Sequence, residues 1–277
     1  MSYDGPDRRW VPRFLRVGGV HIPYASREKV LQTIDRSFHD RSQIRVAFCN
    51  AHTMVSALRS QGYIDTLSHF LVLNDGVGLD LASSLFMGHG FEDNLNGTDL
   101  VPEILEKASA PVSIYMLGAK QHVVEEAGRQ LAARFPRHRI VGMHHGYLKR
   151  EDEAGVVAKI NASGADLLLV AMGNPRQEQF IDRNAADLSP RVLIGVGALF
   201  DFISGTVPRA PQWMRMLRLE WLFRLMIEPR RLGWRYTGGL AIFLVEIMRL
   251  RVARMWAKPE DLEREEQNLP KRLRPEN

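Results

Sequence analysis

A run of five apolar residues, Leu167–Ala171, is followed by Gly173, turns through Asn174-Pro175, and gives way to the polar stretch Arg176-Gln177-Glu178-Gln179. No other passage restricts the fold as much. A continuous apolar run of this length, flanked by turn residues, is what a strand buried on both faces requires, and such strands belong to parallel sheets. The polar stretch opens a helix, expected over Arg176–Ala185. A parallel strand feeding a helix through a small polar loop places the helix's free amides at the strand's carboxyl end, where α/β sheets hold ligands. The same residues also make a plain strand-to-helix turn, and spacing alone does not separate the two.

The pattern recurs along the chain. Ile44–Cys49, Phe70–Leu73, Val112–Leu117, Arg139–Gly142 and Val192–Val196 read as further strands. Helical spacing is expected over Ala51–Gln61, from Asn96 through Leu105, over Gln121–Phe135 and over Asp152–Ser163. Ahead of these, Val17–Pro23 reads as a short strand or hairpin arm, and Ser26 caps a helix running to about His39. Strand and helix alternating with short connections predict an α/β protein, a doubly wound, Rossmann-like, mostly parallel sheet occupying residues 1–202.

Composition bounds the rest. The 277 residues, 45% hydrophobic and 25% charged, suffice for one large domain plus an appendage. The single cysteine, Cys49, excludes an internal disulfide and a Cys-based zinc site. The first residues lack an apolar signal core, and the absence of a long apolar run predicts no spanning helix. A cytoplasmic location is the expectation. The net charge of +5 is unevenly spread: residues 203–258 carry 11 Lys and Arg against 3 Asp and Glu, with four of the five tryptophans. This block is read as a basic helical appendage, with helices over Met214–Ile227 and Leu240–Trp256 separated by Glu228-Pro229. The apolar opening of the second helix is too short to span a bilayer, which takes about 20 residues. It suits the membrane interface, with Arg249, Arg251 and Arg254 at headgroup level, and equally suits packing on the sheet. Residues 259–277 read as a disordered tail.

In a doubly wound sheet the strand carboxyl ends share one edge, so Asn50, Asp75, Thr98, Tyr147, Asn174, Gln177 and Asp201 should converge on one crevice. Asp75 is either an Asx-turn residue or a carboxylate projecting into that crevice. Residues 76–81, GVGLDL, miss the third glycine of a dinucleotide fingerprint, and Asn50-Ala51-His52 after the first strand is not one, which speaks against a nicotinamide oxidoreductase. His144 and His145 are adjacent rather than at metal-ligand spacing. The predicted crevice offers a carboxylate among amides and hydroxyls, which suits nucleotide binding and deprotonation of a hydroxyl. A non-catalytic binder of membrane or nucleic acid would explain the basic block but not the polar strand ends.

Several stretches together carry a resemblance: NDG at 74–76, NGTDL at 96–100, GNPRQE at 173–178, GVGALFDFISGTVPRAP at 195–211 and LEWLFRLMIEPRRLGWRY at 219–236. The chain resembles the WecG/TagA/CpsF (GumM-like) family of bacterial glycosyltransferases over about residues 15–240. The resemblance implies an inverting, metal-independent transferase without a cofactor. It would move a hexose-type sugar from a UDP-sugar to a polyprenyl-diphosphate-linked acceptor at the inner leaflet of the cytoplasmic membrane, in cell-surface polysaccharide synthesis, with no nucleic-acid partner. It makes Asp75 the general base and places Asn50, Thr98, Tyr147, Asn174, Gln177 and Asp201 near the nucleotide-sugar. Arg224, Arg231 and Arg235 would meet the acceptor diphosphate, a task suited to planar guanidiniums. Phe48 stands where the family often has threonine, and Asn94 where an arginine is common, so the resemblance leaves the sugar open. Self-association is left open as a way to hold the basic block.

Overall fold

The computed structural model describes residues 14–40, 42–216 and 220–256, without side-chain detail at 215–216, 231–232, 234–237 and 254–255. Six parallel strands form the central sheet: β3 (Ile44–Cys49), β4 (Leu71–Asn74), β5 (Ser113–Gly118), β6 (Arg139–His144), β7 (Leu167–Ala171) and β8 (Val192–Gly195), in the order β4-β3-β8-β7-β5-β6. A separate antiparallel hairpin, β1 (Phe14–Val17) and β2 (Val20–Pro23), lies outside it. Gly18 and Gly19 link its arms at φ of +53° and +88°, the left-handed backbone that a two-residue hairpin turn twisted like its strands demands.

Alternation along the strands divides the sheet into two cores. From β7, Leu168 and Val170 enter one cluster while Leu167, Leu169 and Ala171 enter the other. All five are buried, as a run apolar on both faces requires. The first cluster includes the hairpin, α2 (Ala51–Leu58), α3 (Gln61–Ser68), α4 (Val77–Met87), α7 (Glu153–Ala162) and α8 (Arg176–Asn184). The second includes α1 (Arg27–His39), α5 (Gly97–Lys107), α6 (Gln121–Arg134) and α9 (Leu199–Ile203). The sheet is therefore doubly wound, as its sequence predicts. The chain leaves β3 toward one face and the neighbouring β8 toward the other, which opens a crevice between their carboxyl ends.

Two helical readings are corrected. The stretch read as one helix over Ala51–Gln61 is α2 followed by α3, because the Ser60 hydroxyl accepts from the Tyr63 amide and starts a new helix. The break at Glu228-Pro229 is followed at once by α12, which runs over Pro229–Trp256 instead of starting at Leu240. Proline fits a first helical turn, whereas Gly233, Gly238 and Gly239 argue locally against helix and are carried by the element around them. Before it come α10 (Gln212–Met216) and α11 (Glu220–Ile227), in the stretch read as one helix over Met214–Ile227, of which 217–219 lie outside the described residues. α12 packs on α2, with Phe243 and Ile247 fully buried in the first cluster. Its side facing the protein thus meets helices, and Val245, Met248, Val252 and Trp256 line an exposed stripe. No described helix is long and apolar enough to cross a membrane. The expected tail at 259–277 lies outside the described residues.

Candidate active site

Asp75 follows β4, and its amide donates to the Cys49 carbonyl at 2.8 Å, extending the β3–β4 pairing past the strand ends. Asn50, at the end of β3, caps α2: its Oδ1 accepts from the Thr53 amide at 3.1 Å and the Thr53 hydroxyl at 3.3 Å. With that oxygen engaged, the Asn50 side chain hydrogen-bonds the Asp75 carboxylate through its amide nitrogen. Gly76, at φ +85°, makes the turn into α4, and its amide donates to Asn94 Oδ1 at 2.9 Å. Arg27 holds the Asn94 carbonyl at 2.6 Å, so the turn behind Asp75 is tied to the start of α1.

Charges from distant parts of the chain meet at this carboxylate. Burial pushes Asp75 up to about 6. Asn50 and the Arg224 guanidinium favour its charged form, while Glu220 and Asp99 oppose it. Thr98 and Asp99 lie in the first turn of α5, capped by Asn96 through a 2.9 Å bond to the Asp99 amide. Arg209 pairs with Asp99 and stands 3.9 Å from Glu220 of α11, and Arg224 lies 4.4 Å over the Phe202 ring. The basic block thus reaches across to the carboxyl edge of the sheet.

The GNPRQE loop forms the other half. Gln177 is buried, its Oε1 accepting from Gly173 N at 3.2 Å and Gly197 N at 3.0 Å, which joins the turn after β7 to the turn after β8. Gly195 leaves space for it, since a Cβ there would come within 2.9 Å of Gln177 Nε2. Asn174, before a cis proline, donates to Glu178 Oε1 at 2.6 Å. Asp201 sits half-buried in α9, and its carbonyl accepts from Val207 N at 3.0 Å.

The sequence-selected residues therefore fall in groups. Asn50, Asp75, Thr98 and Arg224 gather around the end of β4, and Asn174 and Gln177 join near the end of β8. Tyr147 is 65% exposed on the loop after edge strand β6, next to Gly146, whose amide donates to the Ala119 carbonyl at 3.0 Å and which packs against Gly118 and Met172 at the ends of β5 and β7. Arg231 and Arg235 belong to α12, but their side chains lie outside the described residues. Phe48 is buried in the second cluster against Gly97, where a Cβ would meet its ring at 2.6 Å. Gly78 of the near-miss fingerprint serves helix packing, since a Cβ on it would lie 2.9 Å from that of Ala51. Sequence reasoning missed Glu178, Tyr63, Arg209 and Glu220. Among the described residues no three His, Cys, Asp or Glu side chains gather into a cation site. A groove of about 600 Å³ between α1 and α5, lined by Arg27, Asp35 and Lys107 among others, includes none of the strand-end groups.

Residues 15–257 match the model of the glycosyl transferase WecG/TagA/CpsF family. The chain belongs to this family. Among curated WecG/TagA/CpsF-like relatives, it is 34% identical over 200 residues to the N-acetylglucosaminyldiphosphoundecaprenol N-acetyl-beta-D-mannosaminyltransferase of Bacillus subtilis strain 168, covering 71% of this chain and 75% of that one. It is 32% identical over 216 residues to the protein of the same name from Bacillus spizizenii strain W23, covering 77% and 81%. For a WecG/TagA/CpsF glycosyltransferase the gathering of Asn50, Asp75 and Arg224 is the informative feature, because it unites the first half of the sheet with the C-terminal helices.

Proposed function

We propose that this chain is an inverting, metal-independent transferase that moves an N-acetylmannosamine-type sugar from UDP to a saccharide carried on polyprenyl diphosphate. The names of the two Bacillus relatives support the sugar and the acceptor. The observation that carries the chemistry is Asp75, a carboxylate raised to about 6, steadied by Asn50 and facing Arg224. A base with such a pKa is ionised at neutral pH yet takes up a proton readily.

In this reading Asp75 removes the proton of the acceptor hydroxyl. The oxygen attacks the anomeric carbon from the side opposite UDP, the carbon–oxygen bond to UDP breaks, and the configuration inverts. The proton stays on Asp75 and the bond electrons leave with the diphosphate. Arg224, with Arg231 and Arg235, would neutralise phosphate oxygens bidentately where other transferases use a cation. Asn50, Thr98, Tyr147, Asn174, Gln177 and Asp201 form the donor half, with Gln177 shaping its loops rather than contacting the sugar, since its amide is already engaged. The site works at the inner face of the membrane, with the exposed stripe of α12 toward lipid.

The test is UDP release from a panel of UDP-sugars with a polyprenyl-diphosphate-linked N-acetylglucosamine acceptor, in EDTA, for wild type and Asp75→Asn. Turnover should survive EDTA, favour UDP-N-acetylmannosamine, and fall at least about a hundredfold in the variant. Full activity in Asp75→Asn would remove Asp75 from the chemistry, and loss of turnover in EDTA would overturn the metal-free reading.

A further inference from the structure

Glu178 is fully buried behind the loop that carries Asn174 and Gln177. Its Oε1 accepts from Asn174 Nδ2 at 2.6 Å and Gln177 Nε2 at 2.8 Å, and its Oε2 accepts from the Tyr63 hydroxyl at 3.1 Å. Burial raises its pKa, and the three donors act against that shift. Stability alone gives no reason for such an arrangement, because well-packed apolar residues commonly replace buried polar clusters without loss.

What the carboxylate does supply is direction. An amide side chain has one accepting and one donating end, and a neighbouring group decides which way each points. A carboxylate only accepts, so the nitrogens of Asn174 and Gln177 both turn toward Glu178. Gln177 Oε1 is then left to hold the Gly173 and Gly197 amides, which fixes the two loops relative to each other. Asn174 keeps its Oδ1 for a ligand, an acceptor of the kind that a uracil N3–H or a ribose hydroxyl needs. We infer that Glu178 is a positioning residue, locking the Asn174 and Gln177 amides in the orientation that the nucleotide of the donor requires. The inference rests on the UDP-sugar reading above and assigns that reading a residue the sequence did not reveal.

The experiment is UDP titration by calorimetry on wild type, Glu178→Gln and Glu178→Asp, with the melting temperature of each measured alongside. Glutamine can place its oxygen at the Oε1 position and its nitrogen toward Tyr63, so its affinity should stay within about threefold of wild type. Aspartate keeps the charge but withdraws it by one methylene, so UDP binding should weaken at least tenfold, with KM for the donor rising more than kcat falls. A purely structural role would lower melting temperatures without changing the affinity of the folded protein. Wild-type affinity in folded Glu178→Asp overturns the inference while leaving the donor reading intact. Failure of wild type to bind UDP overturns both. Hydrogen exchange of the wild type needs no variant: UDP should slow the 173–178 and 195–201 segments together, and UDP binding without change there would also refute the inference.

Discussion

At the scale of one residue, Asp75 sets the pH behaviour. Its ordinary pKa is about 3.9, and its place in the crevice raises it to about 6. The active form is the ionised one, so kcat/KM should drop about tenfold for each pH unit below that value. A profile flat down to pH 5 would show that another group is the base. The same shift has a stability consequence of opposite sign. A raised carboxylate pKa means that the folded state holds its proton to higher pH than the unfolded state, so stability declines as pH climbs from about 4 to about 6 and stays lower above. Asp75→Asn removes that loss. At pH 7.5 the variant should be as stable as wild type or more so, by up to about 3 kcal/mol if the whole shift counts. Denaturant unfolding at pH 4 and pH 7.5 reads the difference, and a less stable variant at pH 7.5 would mean that the charged carboxylate is favourable where it sits. Asp75 was legible because its strand ended in Asn-Asp-Gly. Glu178 was not, since a carboxylate in Arg-Gln-Glu-Gln reads as solvent-facing. Its clue was helical spacing: Gln177 and Glu178 stand four and three residues before buried Ile181, on the inner stripe of α8.

At the scale of elements, the contact between α12 and α2 joins the C-terminal helices to the sheet. Phe243→Ala removes a fully buried ring from it. The cost should be about 3–5 kcal/mol if the chain unfolds as one unit. Hydrogen exchange of α12 rising with no change in global stability would mean instead that this helix detaches alone. The six strands of the central sheet were readable to within two residues at each end, whereas the hairpin arm Phe14–Val17 was not read as a strand. Leu167–Ala171 is a continuous apolar run and Ile44–Cys49 departs from one only at Arg45, and burial on both faces leaves a sequence little freedom. The helices were less so. Val55 and Leu58 set a helical spacing that runs up to Ser60 and masks its role as a cap, which hid the boundary between α2 and α3, and the glycines of α12 obscured its first half. The site followed the same division: residues tied to strand ends were found, while Arg209 and Glu220 depend on where the C-terminal helices come to rest. Local patterning does not contain that information.

At the scale of the molecule, the C-terminal helices bring Arg224 to Asp75 on one side and show an apolar stripe on the other. The double substitution Val245→Glu and Val252→Glu alters the stripe away from the crevice. Co-sedimentation with anionic vesicles should fall at least tenfold in that variant, while its melting temperature and UDP affinity hold. Undiminished sedimentation would place the lipid contact elsewhere. The strand order carries a different implication, for how the molecule is made. β8 is the last strand along the chain, yet it lies between β3 and β7 and bonds to both. Until it exists, the pair β3–β4 and the trio β7–β5–β6 are separate half-sheets with exposed inner edges. At bacterial synthesis rates of about 5–20 residues per second, the roughly 120 residues between β4 and β8 take on the order of ten seconds. During that interval the newborn chain holds the unpaired inner edge of β3, joined by that of β7 once Ala171 has been made, the kind of surface that invites pairing with a neighbour on the same polysome. The strand that closes the sheet is therefore also the one that ends its exposure to aggregation.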